Sequence, residues 1–77
     1  MIRRQTNGEA IRALRIALGI KQYELAQRCG ITGATLSAIE RGHDNASPAL
    51  TRRLATHLGV GVGAITSFPP QKAEVVA

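Results

Sequence analysis

The side chains able to do acid–base, nucleophilic or metal chemistry in this chain are few and scattered: Cys29, His43, His57 and five carboxylates. A zinc centre gathers three or four such ligands at characteristic close spacings. Cys29, His43 and His57 fall on different expected elements, so no metal set is expected; Cys29 reads as a small core residue and His57 as an outer-face residue. The acids do not group as a general acid–base pair, and no Ser–His–Asp arrangement or glycine-rich phosphate loop is indicated. Neither an enzyme nor a cofactor is expected. What remains is recognition chemistry: ten Lys and Arg stand against five Asp and Glu, giving a formal charge of +5 and a sequence pI near 10.8. That balance points to a polyanionic partner, nucleic acid first and an anionic membrane second. Tyr23 and Phe68 are the only aromatic residues. Binders of single strands and RNA stack bases on aromatic rings, so double-stranded DNA fits this composition better.

The elements that would position these groups are legible in the helix punctuation. Seventy-seven residues allow one domain with a thin core, so local helix signals must help to hold it. "TNGE" puts Thr6 at an N-cap with Glu9 three residues on, a capping box. Behind it Ala10, Ile11, Leu14, Ala17 and Leu18 recur at helical spacing, and Gly19 stops the helix. A second helix runs from Gln22 to Cys29, burying Leu25, Ala26 and Cys29, and ends at Gly30. A third follows the cap Thr32 and runs to Arg41 with Leu36 and Ile39 inward, ended by Gly42. Ser47 and Pro48 open a fourth, with Leu50, Leu54, Ala55 and Leu58 on one face and Gly59 closing it. Val62 to Ser67 is a marginal fifth helix, because two glycines lie nearby. "FPPQKAEVVA" reads as a tail whose "EVVA" is the only segment of strand character. The fold class expected is all-α, divided as a basic N-terminal arm over 1–5, a domain over 6–67 and a tail over 68–77. The single cysteine excludes an intrachain disulfide and fits a reducing cytoplasm. No apolar run approaches the ~18 residues of a membrane span, and the N-terminus lacks a signal-peptide core.

The stretch "QYELAQRCGITGATLSAIERG" joins two of these helices across a very short break. Ala26 must be small where the second helix of such a pair crosses, and Gly30 must take a positive φ to turn the chain so tightly. With Leu25, Cys29, Ile31, Leu36 and Ile39 facing a common core, these offsets make a helix-turn-helix pattern. Here the chain resembles the phage-repressor and Cro-like helix-turn-helix family. "IRALRIALGIKQYELAQRCGIT" and "LSAIERG" match its first three helices and "LATHLGV" its fourth, about residues 8 to 66 in all. The resemblance implies a compact five-helix, lambda-repressor-like domain whose third helix enters the DNA major groove, usually as a homodimer on a near-palindromic operator. It also implies a structural ion pair between Arg15 and Glu40, and a phosphate contact from Gln22 at the start of the second helix.

The base-facing set expected on the third helix is Thr32, Gly33, Ala34, Thr35, Ser37, Ala38 and Arg41. Strong readers carry Gln, Asn or Arg there for bidentate bonds. This helix offers hydroxyls, methyls and one terminal arginine, so its readout is weighted toward methyl contacts, water and DNA shape. Lys21, Gln22, His43, Asn45 and Ser47 are the expected phosphate contacts, with Arg52 or Arg53 as a further one and Arg3 and Arg4 as an arm for the minor groove. Three readings stay open: a small transcriptional regulator, foremost a repressor; an antitoxin whose tail engages a toxin; and a protein-interaction module that keeps the fold without DNA readout. Ile65 with Phe68, or paired "EVVA" segments, are the candidate dimer surfaces.

Overall fold

The computed structural model describes residues 5–67 of the chain. In order these form strand β1 (Gln5–Thr6), helices α1 (Gly8–Ala17), α2 (Gln22–Cys29), α3 (Gly33–Glu40) and α4 (Pro48–Leu58), a 3₁₀ turn (Val62–Ile65) and strand β2 (Thr66–Ser67). The arm arginines Arg3 and Arg4, together with Phe68 and the "EVVA" segment, lie outside the described residues. No helix among the described residues is long and apolar enough to cross a membrane.

The middle helices begin and end where their capping residues place them. The Thr32 hydroxyl accepts the Thr35 N–H at 3.1 Å and opens α3. The Ser47 hydroxyl does the same for Leu50 at 3.2 Å and opens α4, with Pro48 in its first turn. Lys21 carries no acceptor, so the Glu24 carboxylate reaches back to the Lys21 N–H at 2.9 Å at the start of α2. Gly30, at φ +75°, turns the chain from α2 towards α3 in a left-handed conformation that a Cβ would disfavour. Leu25, Leu36, Ile39 and Leu54, one or two from each of these helices, meet Ile11 and Ile65 in a core fully shielded from solvent.

The two ends of the domain depart from the sequence reading. Thr6 is not the cap of α1. Asn7 is, its Oδ1 accepting the Ala10 N–H at 3.1 Å. Thr6 instead lies in β1, which pairs antiparallel with β2 in the register Gln5 to Ser67 and Thr6 to Thr66. Its hydroxyl accepts the Ala46 N–H at 2.9 Å, and its own N–H donates to Asn45 Oδ1 at 3.3 Å, which fastens β1 to the loop after α3. The expected fifth helix is one 3₁₀ turn, held by Ala64 N–H to the Gly61 carbonyl at 3.0 Å. Val62 and Ile65, three residues apart, both turn inward in that tighter spiral, after which the chain extends into β2. Among the described residues the architecture is therefore four α-helices, one 3₁₀ turn and a two-stranded sheet, not five helices.

The apolar face expected on α1 is only partly buried. Ile11 is enclosed, Ala10 and Leu14 are half-buried, and Ala17 and Leu18 are exposed. The inward position of the last turn belongs to Arg15, whose guanidinium is held inside the molecule, so the apolar residues beside it turn outward.

The α1 N-terminus supplies a constraint that periodicity does not reveal. At Gly8 a Cβ would overlap the Ile39 carbonyl oxygen and lie 2.7 Å from that of Glu40. The first turn of α1 thus rests directly on the last carbonyls of α3, and only a glycine admits that approach. Gly8→Ala is expected to lower stability by about 1–3 kcal/mol or more, because backbone rather than a mobile side chain must yield. Gly33→Ala meets open space and a right-handed backbone, so it should raise stability by about 0.4–1 kcal/mol. Urea unfolding of both variants measures the contrast.

Candidate nucleic-acid interface

Three helices meet at one carboxylate. Arg15 on α1 donates from Nε to Glu40 Oε2 at 2.8 Å and from Nη2 to Oε1 at 3.1 Å, a two-point fork. Its remaining nitrogen, Nη1, donates to the Ile20 carbonyl at 3.0 Å in the turn before α2. Gln22, the first residue of α2, donates from Nε2 to Glu40 Oε1 at 3.2 Å. The Glu40 side chain is 1% exposed and that of Arg15 12%. A carboxylate this deeply desolvated is tolerated only because each oxygen accepts a charge-assisted bond. One Gln22 N–H serves Glu40, which leaves its second N–H and its carbonyl outside that bond.

With Glu40, Leu36 and Ile39 buried, the remaining residues of α3 are exposed or half-buried. Ala34, Thr35 and Arg41 are exposed, as is the cap Thr32, while Gly33, Ser37 and Ala38 are half-buried. Arg41 caps the far end, its Nε donating to the Ser37 carbonyl at 3.4 Å. At the near end Thr32 Oγ1 donates to Thr35 Oγ1 at 2.9 Å. Lys21 is exposed beside Gln22, with its ammonium 5.9 Å from the Tyr23 ring centroid. His43, Asn45 and Ser47 are exposed along the α3–α4 loop. The Asn45 carbonyl accepts from Thr6 and the Ser47 oxygen from Leu50, which leaves the Asn45 amide and the Ser47 proton as the donors outside those bonds.

The Arg53 contact in the site frame lacks a sequence signal. Arg53 on α4 donates from Nη1 to the Cys29 carbonyl at 3.2 Å, placing a cation on the C-terminal end of α2. Burial pushes the Cys29 thiol above its ordinary pKa, and the Arg53 guanidinium partly opposes this. Arg52 and Arg53 are alike in sequence, and only the tertiary contact distinguishes them. Ile65, a candidate dimer residue from sequence, is fully enclosed in the core and offers no such surface.

Removing Arg15 alone leaves Glu40 buried without its cation. Arg15→Met is expected to cost about 3–5 kcal/mol, while the double replacement Arg15→Met with Glu40→Met recovers most of that loss. Chemical denaturation of the single and double variants measures the recovery.

Comparison with known proteins agrees with this geometry. Residues 11–65 match a protein-family model described as helix-turn-helix. An uncharacterized helix-turn-helix-type transcriptional regulator of Methanothermobacter thermautotrophicus is 45% identical over 49 residues, covering 64% of this chain and 71% of that protein. Among solved structures, the restriction-modification controller protein C.AhdI of Aeromonas hydrophila is 33% identical with a TM-score of 0.71, covering 74% of this chain and 86% of its own. The P22 c2 repressor protein, solved in complex with a synthetic operator, is 29% identical with a TM-score of 0.71, covering 75% and 88%. The chain belongs to the phage-repressor-like helix-turn-helix family of DNA-binding transcriptional regulators.

Proposed function

We propose that this chain is a sequence-specific double-stranded DNA-binding repressor that lays α3 in the major groove and acts as a homodimer on a near-palindromic operator. The observation that carries the reading is the outward face of α3. Its buried side is fixed by Leu36, Ile39 and the clamped Glu40, so Ala34, Thr35 and Arg41 are free to meet a partner. Gln22, Lys21 and the first N–H groups of α2 hold a phosphate on one flank of the groove. His43, the Asn45 amide and Ser47 hold phosphates on the other, where Asp44 works against them. The dimer sets half-site spacing at about one helical turn of DNA or its multiples. Support for repression comes from the likeness to the P22 c2 repressor.

A protein-interaction or antitoxin-type module is the competing reading. It is favoured by three large apolar side chains left open around the end of α1 and at the start of α2: Ile16 at 54%, Leu18 at 53% and Tyr23 at 61% exposure. Binding to duplex fragments separates the two. A DNA reader that neutralises about six phosphates per dimer loses affinity with a log–log salt slope of roughly −5. A gel-shift series across salt should show that slope, with Lys21→Ala, which removes one contact from each subunit, making it shallower by about two. Absence of any salt-sensitive complex with duplex DNA would leave the interaction module.

A further inference from the structure

The proposed groove-facing reading of α3 leaves open which base so plain a surface selects. Resting on that reading, we infer that α3 selects thymine, with Thr35 donating to the O4 acceptor while the methyls of Thr35, Ala34 and Ala38 pack against the C5-methyl. The hydroxyl geometry at the first turn allows a bond in that direction. A threonine oxygen has one proton and two lone pairs. Thr32 Oγ1 accepts the Thr35 backbone N–H at 3.1 Å and shares a hydrogen bond with Thr35 Oγ1 at 2.9 Å. When the Thr32 proton bridges the two oxygens, Thr35 receives that hydrogen bond and its own proton is left for an outside acceptor. A hydroxyl that accepts one hydrogen bond is polarised into a better donor, and Thr35 is exposed.

The four base edges differ in what they ask of this surface. Guanine presents two acceptors and is matched by a forked cation. Adenine presents a donor beside an acceptor and is matched by a carboxamide. Cytosine presents a donor and is matched by a carboxylate. From Thr32 to Ala38 the helix carries none of these groups, and Arg41 lies at its opposite end. Thymine presents one acceptor beside one methyl, and a polarised hydroxyl set among methyls is its complement. Ala38 lies at i+3 from Thr35 and i+4 from Ala34, so the three make one continuous patch.

Gly33 adds an independent point. A Cβ there would meet nothing within 4 Å, and its φ is not left-handed. Neither packing nor backbone conformation requires glycine at this position, although glycine weakens a helix relative to alanine. What the missing side chain provides is room for the helix backbone to come close to a methyl-bearing base edge.

The test uses the full chain and its best site from a random duplex pool. At thymines facing α3, 2′-deoxyuridine removes the methyl and keeps O4, whereas 5-methylcytosine paired with guanine keeps the methyl and replaces O4 with an amino donor. The inference expects about 4-fold weaker binding per lost methyl and 10-fold or more for the lost acceptor. Thr35→Val should abolish the second penalty and retain the first, with thermal melting to verify that it folds; the base substitutions on the unaltered protein stand without it. Selected half-sites lacking thymine opposite α3, or binding indifferent to both replacements, overturn the thymine assignment while DNA reading stands. A chain that binds no duplex in a salt-dependent way overturns both.

Discussion

The buried Glu40 carboxylate is the interaction on which this molecule's geometry depends. Helix α3 has eight residues, mostly with small side chains, too short to be stable alone and too plain to be oriented by a broad apolar face. Its rotation is fixed by the buried pair Leu36 and Ile39 together with a charge that cannot remain buried unpaired. Arg15 brings α1 to that charge, Gln22 brings α2, and the Ile20 carbonyl ties the intervening turn to the same guanidinium. Rotating α3 far enough to bury Ala34 would withdraw Glu40 from all of them. The outward face of α3 is thus specified by an electrostatic requirement on its inward side.

Helix ends reinforce the same arrangement. The first turn of α1, with Gly8 at its start, sits on the last carbonyls of α3, so a partially positive N-terminus meets a partially negative C-terminus. That contact and the Arg15 cation together offset the unfavourable placement of a carboxylate at the end of α3. Arg53 performs a comparable service at the end of α2, binding the Cys29 carbonyl beside the Gly30 turn. Each helix of the pair is therefore held at its C-terminal end by another element. A frame fastened in this way can carry a recognition surface made of small residues without losing its orientation.

Much of this was legible in the sequence because the signals involved are local. Caps at Thr32 and Ser47, stops at Gly30, Gly42 and Gly59, and the apolar spacing through Leu25, Leu36 and Leu54 each depend on residues a few positions apart. What escaped depends on contacts across the fold. Thr6 has the right chemistry for a cap, but Asn7 fits the turn, and Thr6 is taken by Ala46 forty positions away. Ala17 and Leu18 keep helical spacing with Ile11, yet the inward space at their level belongs to Arg15. Val62 and Ile65 are as consistent with a 3₁₀ turn as with an α-helix, and only their burial decides. Gly8 is indistinguishable in sequence from a flexible loop glycine until α3 is seen against it.

The central claim is that α3, held by Glu40 at its end, is the surface that meets duplex DNA. Backbone amide resonances of the full chain, followed during titration with its selected duplex, test this most directly. The account predicts the largest shifts at Thr32 to Ala38 and at Lys21 and Gln22, with Ile16 and Leu18 on α1 little changed. Shifts concentrated on the outer side of α1 or on α4, with the α3 amides undisturbed at saturation, would contradict it.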